Sequence, residues 1–166
     1  GISAEELMRQ LVPPPEFESA TFDSYRPDPL FPSQEAATKA AKQFATGGSG
    51  KLFGRGETPP GVYLDGGFGV GKTHLLASIW HQFKGRKAFG TFLEYTSIVG
   101  FLGFQEAVRR LGEFSLICID EFELDDPGDT MILSRLLKEL SAKGVKFAAT
   151  SNTPPNALGA GRFAAE

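Results

Sequence analysis

The sequence predicts a three-layer α/β domain built on a parallel sheet, and three observations carry that expectation. From residue 61 onward, short apolar runs alternate with stretches of helical periodicity. One of those runs, FSLICID at 114–120, is continuously apolar from Leu116 to its final Asp, as a strand covered on both faces must be. A glycine-rich turn joins the first apolar run to the first periodic stretch. A length of 166 residues suits one domain, and 41% hydrophobic with 22% charged residues excludes disordered and fibrous chains. No apolar run approaches the roughly 18 residues that a membrane-spanning helix needs. The start, GISAEELMRQ, has neither a basic segment nor an apolar signal core, so an intracellular, soluble protein is expected. The single cysteine, Cys118, can make no internal disulfide and no structural zinc site, and its apolar run predicts a buried thiol. A net charge of −3 argues against a wholesale polyanion binder, although a local basic patch stays open.

The elements follow in order. Ser3 and Glu6 form a capping box for a helix within residues 1–12, which Pro13-Pro14-Pro15 stops. EFESATFDSYRPDPLFP, at 16–32, reads as an extended strap that must lie on something. A helix is expected over 34–45 with Ser33 as N-cap, followed by the flexible stretch GGSGKLFGRGETPPG. GVYLD is a strand. THLLASIWHQF is a helix with apolar residues at 75, 76, 79, 80 and 83, and AFGTFLEY is a second strand. Residues 96–111 read as a helix interrupted at Gly100 and Gly103, each costing about 1 kcal/mol relative to Ala. FSLICID is the central strand. Asp126 caps a helix with Pro127 at its first position and Leu133, Leu136, Leu137 and Leu140 on one face, and VKFAATSN is the fourth strand.

Gly66-Gly67-Phe68-Gly69-Val70-Gly71-Lys72-Thr73 fits G-x-x-x-x-G-K-[ST] at every fixed position, between a strand and a helix. Glycines let successive backbone N–H groups turn toward phosphates, and the helix start adds its positive end. Lys72 would reach the β- and γ-phosphates and Thr73 would place its hydroxyl on Mg²⁺, so the nucleotide-facing set runs from Gly66 through His74. Asp120-Glu121 ends the central strand beside that loop. Asp120 would bind Mg²⁺ directly or through water, and Glu121 would act as general base on the attacking water. Asn152, just past the fourth strand, could orient that water or be an ordinary turn residue before Pro154-Pro155. Other features read as bland. Glu123, Asp125, Asp126 and Asp129 lack the order of a calcium loop and suit capping and solvation. Gly48-Ser49-Gly50-Lys51 lacks a preceding strand and reads as a loop. His74 and His81 share a helix face without a third ligand, which suits packing or surface roles. Lys84, Arg86 and Lys87 suit a solvated helix end, with a polymer-binding patch as the sharper alternative. Phe101 and Phe104, beside Gly100 and Gly103, suit an exposed apolar loop or a core.

With these residues in hand, the chain resembles the ZapE-type cell-division ATPases, the AAA+ family that also includes the mitochondrial LACE/Afg1-like ATPases. TFDSYRPDPLFPSQEAA, GVYLDGGFGVGKTHLL, LICIDEFELDDPGDTMILSRLLKEL and GVKFAATSNTPP carry the resemblance. It implies an AAA+ P-loop NTPase fold, with ATP/ADP and Mg²⁺ as ligands, and hydrolysis coupled to remodelling a protein partner such as a division-ring filament. It also implies a bacterial cytoplasmic protein that forms a nucleotide-dependent homo-oligomer at full length. Lys72 and Thr73 match the Walker A residues, Asp120 and Glu121 the Walker B pair, and Asn152 the sensor residue. By the same resemblance, the strap from Tyr25 to Pro32, with Gln34, lies beside the adenine. Arg162 falls where the family has an Arg-Phe segment that offers an arginine finger to a neighbouring subunit, with a surface arginine as the alternative. The family continues through a fifth strand and a helical lid beyond Glu166. The expected organisation is therefore an N-terminal helix and strap at 1–32 and a C-terminally truncated AAA+ core at 33–166. A helicase-loader or initiator-like ATPase acting on DNA complexes is the alternative, and a small-molecule kinase would need a lid with clustered arginines.

Overall fold

The computed structural model describes residues 3–25, 32–46, 61–64, 70–122 and 126–151, with residues 32–34 and 70 described by backbone alone. Four strands, β1 (Gly61–Leu64), β2 (Lys87–Thr91), β3 (Leu116–Asp120) and β4 (Lys146–Thr150), form one parallel sheet in the order β1-β4-β3-β2. The chain steps from β1 to the far edge at β2 and then returns through β3 to β4. Right-handed crossovers in opposite directions put their helices on opposite faces. Helix α3 (Val70–Gln82), which makes the outward step, shares its core with α2 (Pro32–Thr46), while α4 (Phe92–Leu102), α5 (Phe104–Leu111) and α6 (Pro127–Ala142) cover the other face. Strand β3 feeds both cores. Leu116 and Cys118 pack with the α2–α3 layer, and Ile117 and Ile119 pack with the α4–α6 layer, as a period of two requires. Cys118 is fully buried, and burial raises its thiol pKa well above the usual range.

Several boundaries agree with the expectation and several correct it. Helix α1 (Ala4–Arg9) carries both bonds of the Ser3/Glu6 capping box, and the Asp126 carboxylate accepts from the amides of Gly128 and Asp129 at the start of α6. Helix α2 begins at Pro32, so Ser33 lies in its first turn and is not the N-cap. The second strand is shorter than AFGTFLEY. Thr91 caps α4, its side chain accepting from the Glu94 amide while the Glu94 carboxylate takes the Thr91 N–H, and this turns Phe92–Tyr95 into helix. The interruption in 96–111 falls at Gly103, whose φ of +89° is open to glycine, while Gly100 stays inside α4. Phe101 is exposed, whereas Phe104 packs against the core and holds the Arg135 guanidinium over its ring. The Lys87 ammonium donates to the carbonyl oxygens of Phe83 and His81 and sits 4.4 Å over Trp80, a cation at the end of α3. Gly48–Lys51, Glu123 and Asp125 lie outside the described residues.

The N-terminal segment closes one edge of the sheet and one face of α3. The amide of Phe89 donates to the Leu11 carbonyl, so the chain after α1 covers the open edge of β2. Leu11 reaches the core over Gly90, where an added Cβ would lie 3.1 Å from both Leu11 and Tyr95. Beyond the prolines the strap is less extended than expected, since Pro15–Phe17 forms a single 3₁₀ turn and further turns close at Ser24 and Tyr25. Two histidines of α3 hold it. His81 Nε2 lies 3.0 Å from the Phe17 carbonyl, and His74 Nε2 lies 3.0 Å from both the Thr21 carbonyl and the Ser24 hydroxyl. A carbonyl only accepts, so each Nε2 carries the proton.

Replacing Leu133, fully buried under the sheet, by Ala is expected to cost about 2–5 kcal/mol in urea unfolding. The same change at Met131, 66% exposed two residues earlier, is expected to stay within about 0.5 kcal/mol. Loss of both imidazoles in His74→Ala/His81→Ala should speed amide exchange across residues 13–25 while leaving β3 and β4 protected, at about 1 kcal/mol per lost bond.

Candidate functional site

Parallel strands deliver their carboxyl ends to one edge, and the order β1-β4-β3 places β4 between the strand that enters the phosphate loop and the strand that ends in Asp120. Leu64 of β1 pairs with Thr150 of β4, and Ile119 of β3 pairs with Ala149, so Leu64, Thr150 and Asp120 end side by side. Beyond Thr150, the Ser151 amide donates to the Leu64 carbonyl at 3.0 Å and extends that seam. Helix α3 starts at Val70 above this edge, with Gly71, Lys72 and Thr73 in its first turn.

Lys72 is 4% exposed and its ammonium donates to the Ser151 carbonyl at 2.6 Å. A buried ammonium needs such a partner, since an uncompensated charge there would be strongly destabilising. Thr73 Oγ1 lies 3.2 and 3.1 Å from the two carboxylate oxygens of Asp120, itself 4% exposed. The Thr150 hydroxyl donates to Asp120 Oδ1 at 2.6 Å and accepts from the Glu121 amide at 2.9 Å. Glu121 has a φ of +57°, the left-handed region that costs an L-residue about 1–2 kcal/mol. The turn leaves the Glu121 side chain exposed and sends Phe122 back into the core against Phe92, its amide bonded to the Thr150 carbonyl at 2.7 Å. Thus the two acids of one strand end have different surroundings, one buried and hydrogen-bonded and the other open.

Thr73 and Asp120 suit a small divalent cation. Both offer hard oxygen donors, and neighbouring ligands of an octahedral Mg²⁺ at 2.0–2.1 Å lie about 2.9 Å apart, close to the separation found here. Phosphate oxygens and water would complete such a shell. Of the other predicted residues, Tyr25 packs its ring 5.5 Å from that of His74, and burial raises its phenol pKa. The His74 ring is turned to the strap. Gly66, Gly67, Phe68, Gly69, Asn152 and Arg162 lie outside the described residues, as do the side chains of Val70 and Gln34. Thr150 escaped the sequence reading, although a polar residue closing the apolar strand VKFAAT was its signal.

The profile of the AFG1-like ATPases matches residues 2–166. The chain is 36% identical over 125 residues to the cell division protein ZapE of Escherichia coli K12, an alignment spanning 66% of this chain and 33% of that protein. The chain thus matches about a third of the length of that relative. Among solved structures, the replication initiator DnaA bound to AMPPCP and single-stranded DNA superposes with a TM-score of 0.66 at 15% identity, covering 88% of this chain and 45% of DnaA. The DnaC helicase loader superposes with a TM-score of 0.63 at 17% identity, covering 85% of this chain and 81% of DnaC. These likenesses establish the fold as that of AAA+ P-loop ATPases. Since the family profile spans nearly the whole chain, and both strand-end acids and the Lys-Thr pair meet at one edge of that fold, the chain belongs to the AFG1-like, ZapE-related ATPases.

Proposed function

We propose that the chain is the nucleotide-binding core of an Mg²⁺-dependent ATPase that remodels a protein partner in the bacterial cytoplasm. The observation that carries this reading is the contact of the Thr73 hydroxyl with the buried Asp120 carboxylate, beside Lys72 at the same sheet edge. In this reading, Lys72 leaves the Ser151 carbonyl and donates to the β- and γ-phosphates, while the amides of Gly66–Gly71 and the start of α3 face the remaining phosphate charge. Thr73 and Asp120 would hold Mg²⁺, which would supply neutralisation of phosphate charge. Glu121, exposed on its left-handed turn, accepts the proton of the attacking water, and Asn152 orients that water. Tyr25 and Gln34 flank the adenine, with His74 holding the strap that carries Tyr25.

The relative ZapE supports a cell-division partner, with a division-ring protein as the candidate substrate. No described helix is long and apolar enough to cross a membrane. A nucleotide-dependent homo-oligomer would let Arg162 of one subunit stabilise transition-state charge in its neighbour. The likeness to DnaA and DnaC supports a second reading, a loader-like ATPase on DNA complexes, against which the net charge of −3 weighs.

Lys72→Ala is expected to abolish binding of a fluorescent ATP analogue. Glu121→Gln is expected to keep that binding and to lower Mg²⁺-dependent turnover by about 10²–10⁴-fold, the usual contribution of a general base. Equal loss of binding in both would sink the assigned roles. Turnover per subunit that rises with protein concentration and ignores single-stranded DNA supports the protein remodeller, whereas stimulation by DNA supports the loader reading.

A further inference from the structure

We propose that Thr150 is the positioning residue of the acidic pair, its one hydroxyl aiming the Asp120 carboxylate toward Thr73 and holding the left-handed turn that presents Glu121. The inference rests on the roles proposed for Asp120 and Glu121. A hydroxyl has a single proton, and here it goes to Asp120 Oδ1 at 2.6 Å, a charge-assisted bond. The same oxygen accepts the Glu121 amide at 2.9 Å, and the Thr150 carbonyl accepts the Phe122 amide at 2.7 Å. Thr150 therefore grips three consecutive residues at the point where β3 leaves the sheet.

Two features make this grip a constraint on chemistry as well as on folding. Thr150 is 2% exposed, so water does not compete for its hydroxyl, and a β-branched side chain in a strand has few rotamers to choose from. Oδ1 of Asp120 is engaged by Thr150 from the β4 side at 2.6 Å, and the carboxylate so held presents both oxygens to Thr73 on the α3 side, Oδ1 at 3.2 Å and Oδ2 at 3.1 Å. The Asp120 carboxylate, which suits a divalent cation together with Thr73, is thus oriented by a buried hydroxyl from the neighbouring strand. The left-handed backbone of Glu121, unfavourable for a glutamate on its own, is held by the same hydroxyl.

The test compares Thr150→Val, which keeps the branched shape without the hydroxyl, with Thr150→Ser, which keeps the hydroxyl. Nucleotide binding is followed with a fluorescent ADP across a Mg²⁺ titration and in EDTA, Mn²⁺ affinity of the ADP complex by electron paramagnetic resonance, and turnover separately. Thr150→Val is expected to weaken metal affinity and kcat by about 10–100-fold, as outer-shell partners of a metal ligand do, with binding in EDTA unchanged. Thr150→Ser is expected to restore most of both. If Thr150→Val does not fold, Thr150→Ala carries the same expectation, with Ser again as the rescue. Wild-type metal affinity and kcat in the variant lacking the hydroxyl would overturn the proposal, and so would a Ser variant as impaired as Val. Asp120→Asn separates the two levels. If it leaves the Mg²⁺ dependence intact, the role of Asp120 itself falls; if it removes that dependence while Thr150→Val behaves as wild type, only the positioning role falls.

Discussion

The insertion of β4 between β1 and β3 is the constraint on which the remainder of the site depends. A parallel ladder in chain order would separate the residues after β1 from the acids after β3 by β2. Because β2 lies at the far edge, the seam from Leu64 through Thr150 to Asp120 is one continuous set of neighbours, and Lys72 and Thr73 descend onto it from α3. Burial then raises the stakes. Lys72, Asp120, Thr150 and Ser151 are all nearly inaccessible, so their polar groups must satisfy one another, and the network has little freedom to rearrange without a ligand to replace the lost partners.

The same edge shows how local strain and long-range packing are combined. Glu121 occupies a backbone region that suits glycine, yet it is bracketed by a hydrogen bond from its own amide, another from the amide of Phe122, and the burial of the Phe122 ring against Phe92. These contacts come from β4 and α4, elements distant in sequence. The strap follows a comparable logic, since its carbonyl groups are met by His74 and His81 from α3, the helix that also carries Lys72 and Thr73. The strap is therefore held by the same helix that carries Lys72 and Thr73.

Much of this was legible in the sequence because it is written in local patterns. The uninterrupted apolar run around Cys118 announced a strand covered on both faces, Ser3/Glu6 and Asp126-Pro127 announced helix starts, and the Gly66–Thr73 spacing with Asp120-Glu121 pointed to a nucleotide site. The misreadings were local competitions. FLEY has aromatic and β-like character, but the Thr91/Glu94 capping box outweighs it once α4 can bury Phe92 and Tyr95. Ser33 is a good cap residue, yet Pro32 begins the helix because its fixed φ suits the first turn.

By itself, the sequence determined the fold class, the alternation of elements and the residue types that a phosphate and metal site requires, since each depends on periodicity, caps or short spacing. Only the tertiary structure decided that β4 lies beside β3, that Thr150 bonds to Asp120 from 30 residues away, and that two histidines expected in packing or surface roles, one of them also in the nucleotide-facing set, hold the N-terminal strap. The physical reason is that strand order and side-chain partnerships across a sheet are set by which buried surfaces and polar groups satisfy one another in three dimensions, and no local pattern in the chain records those partners.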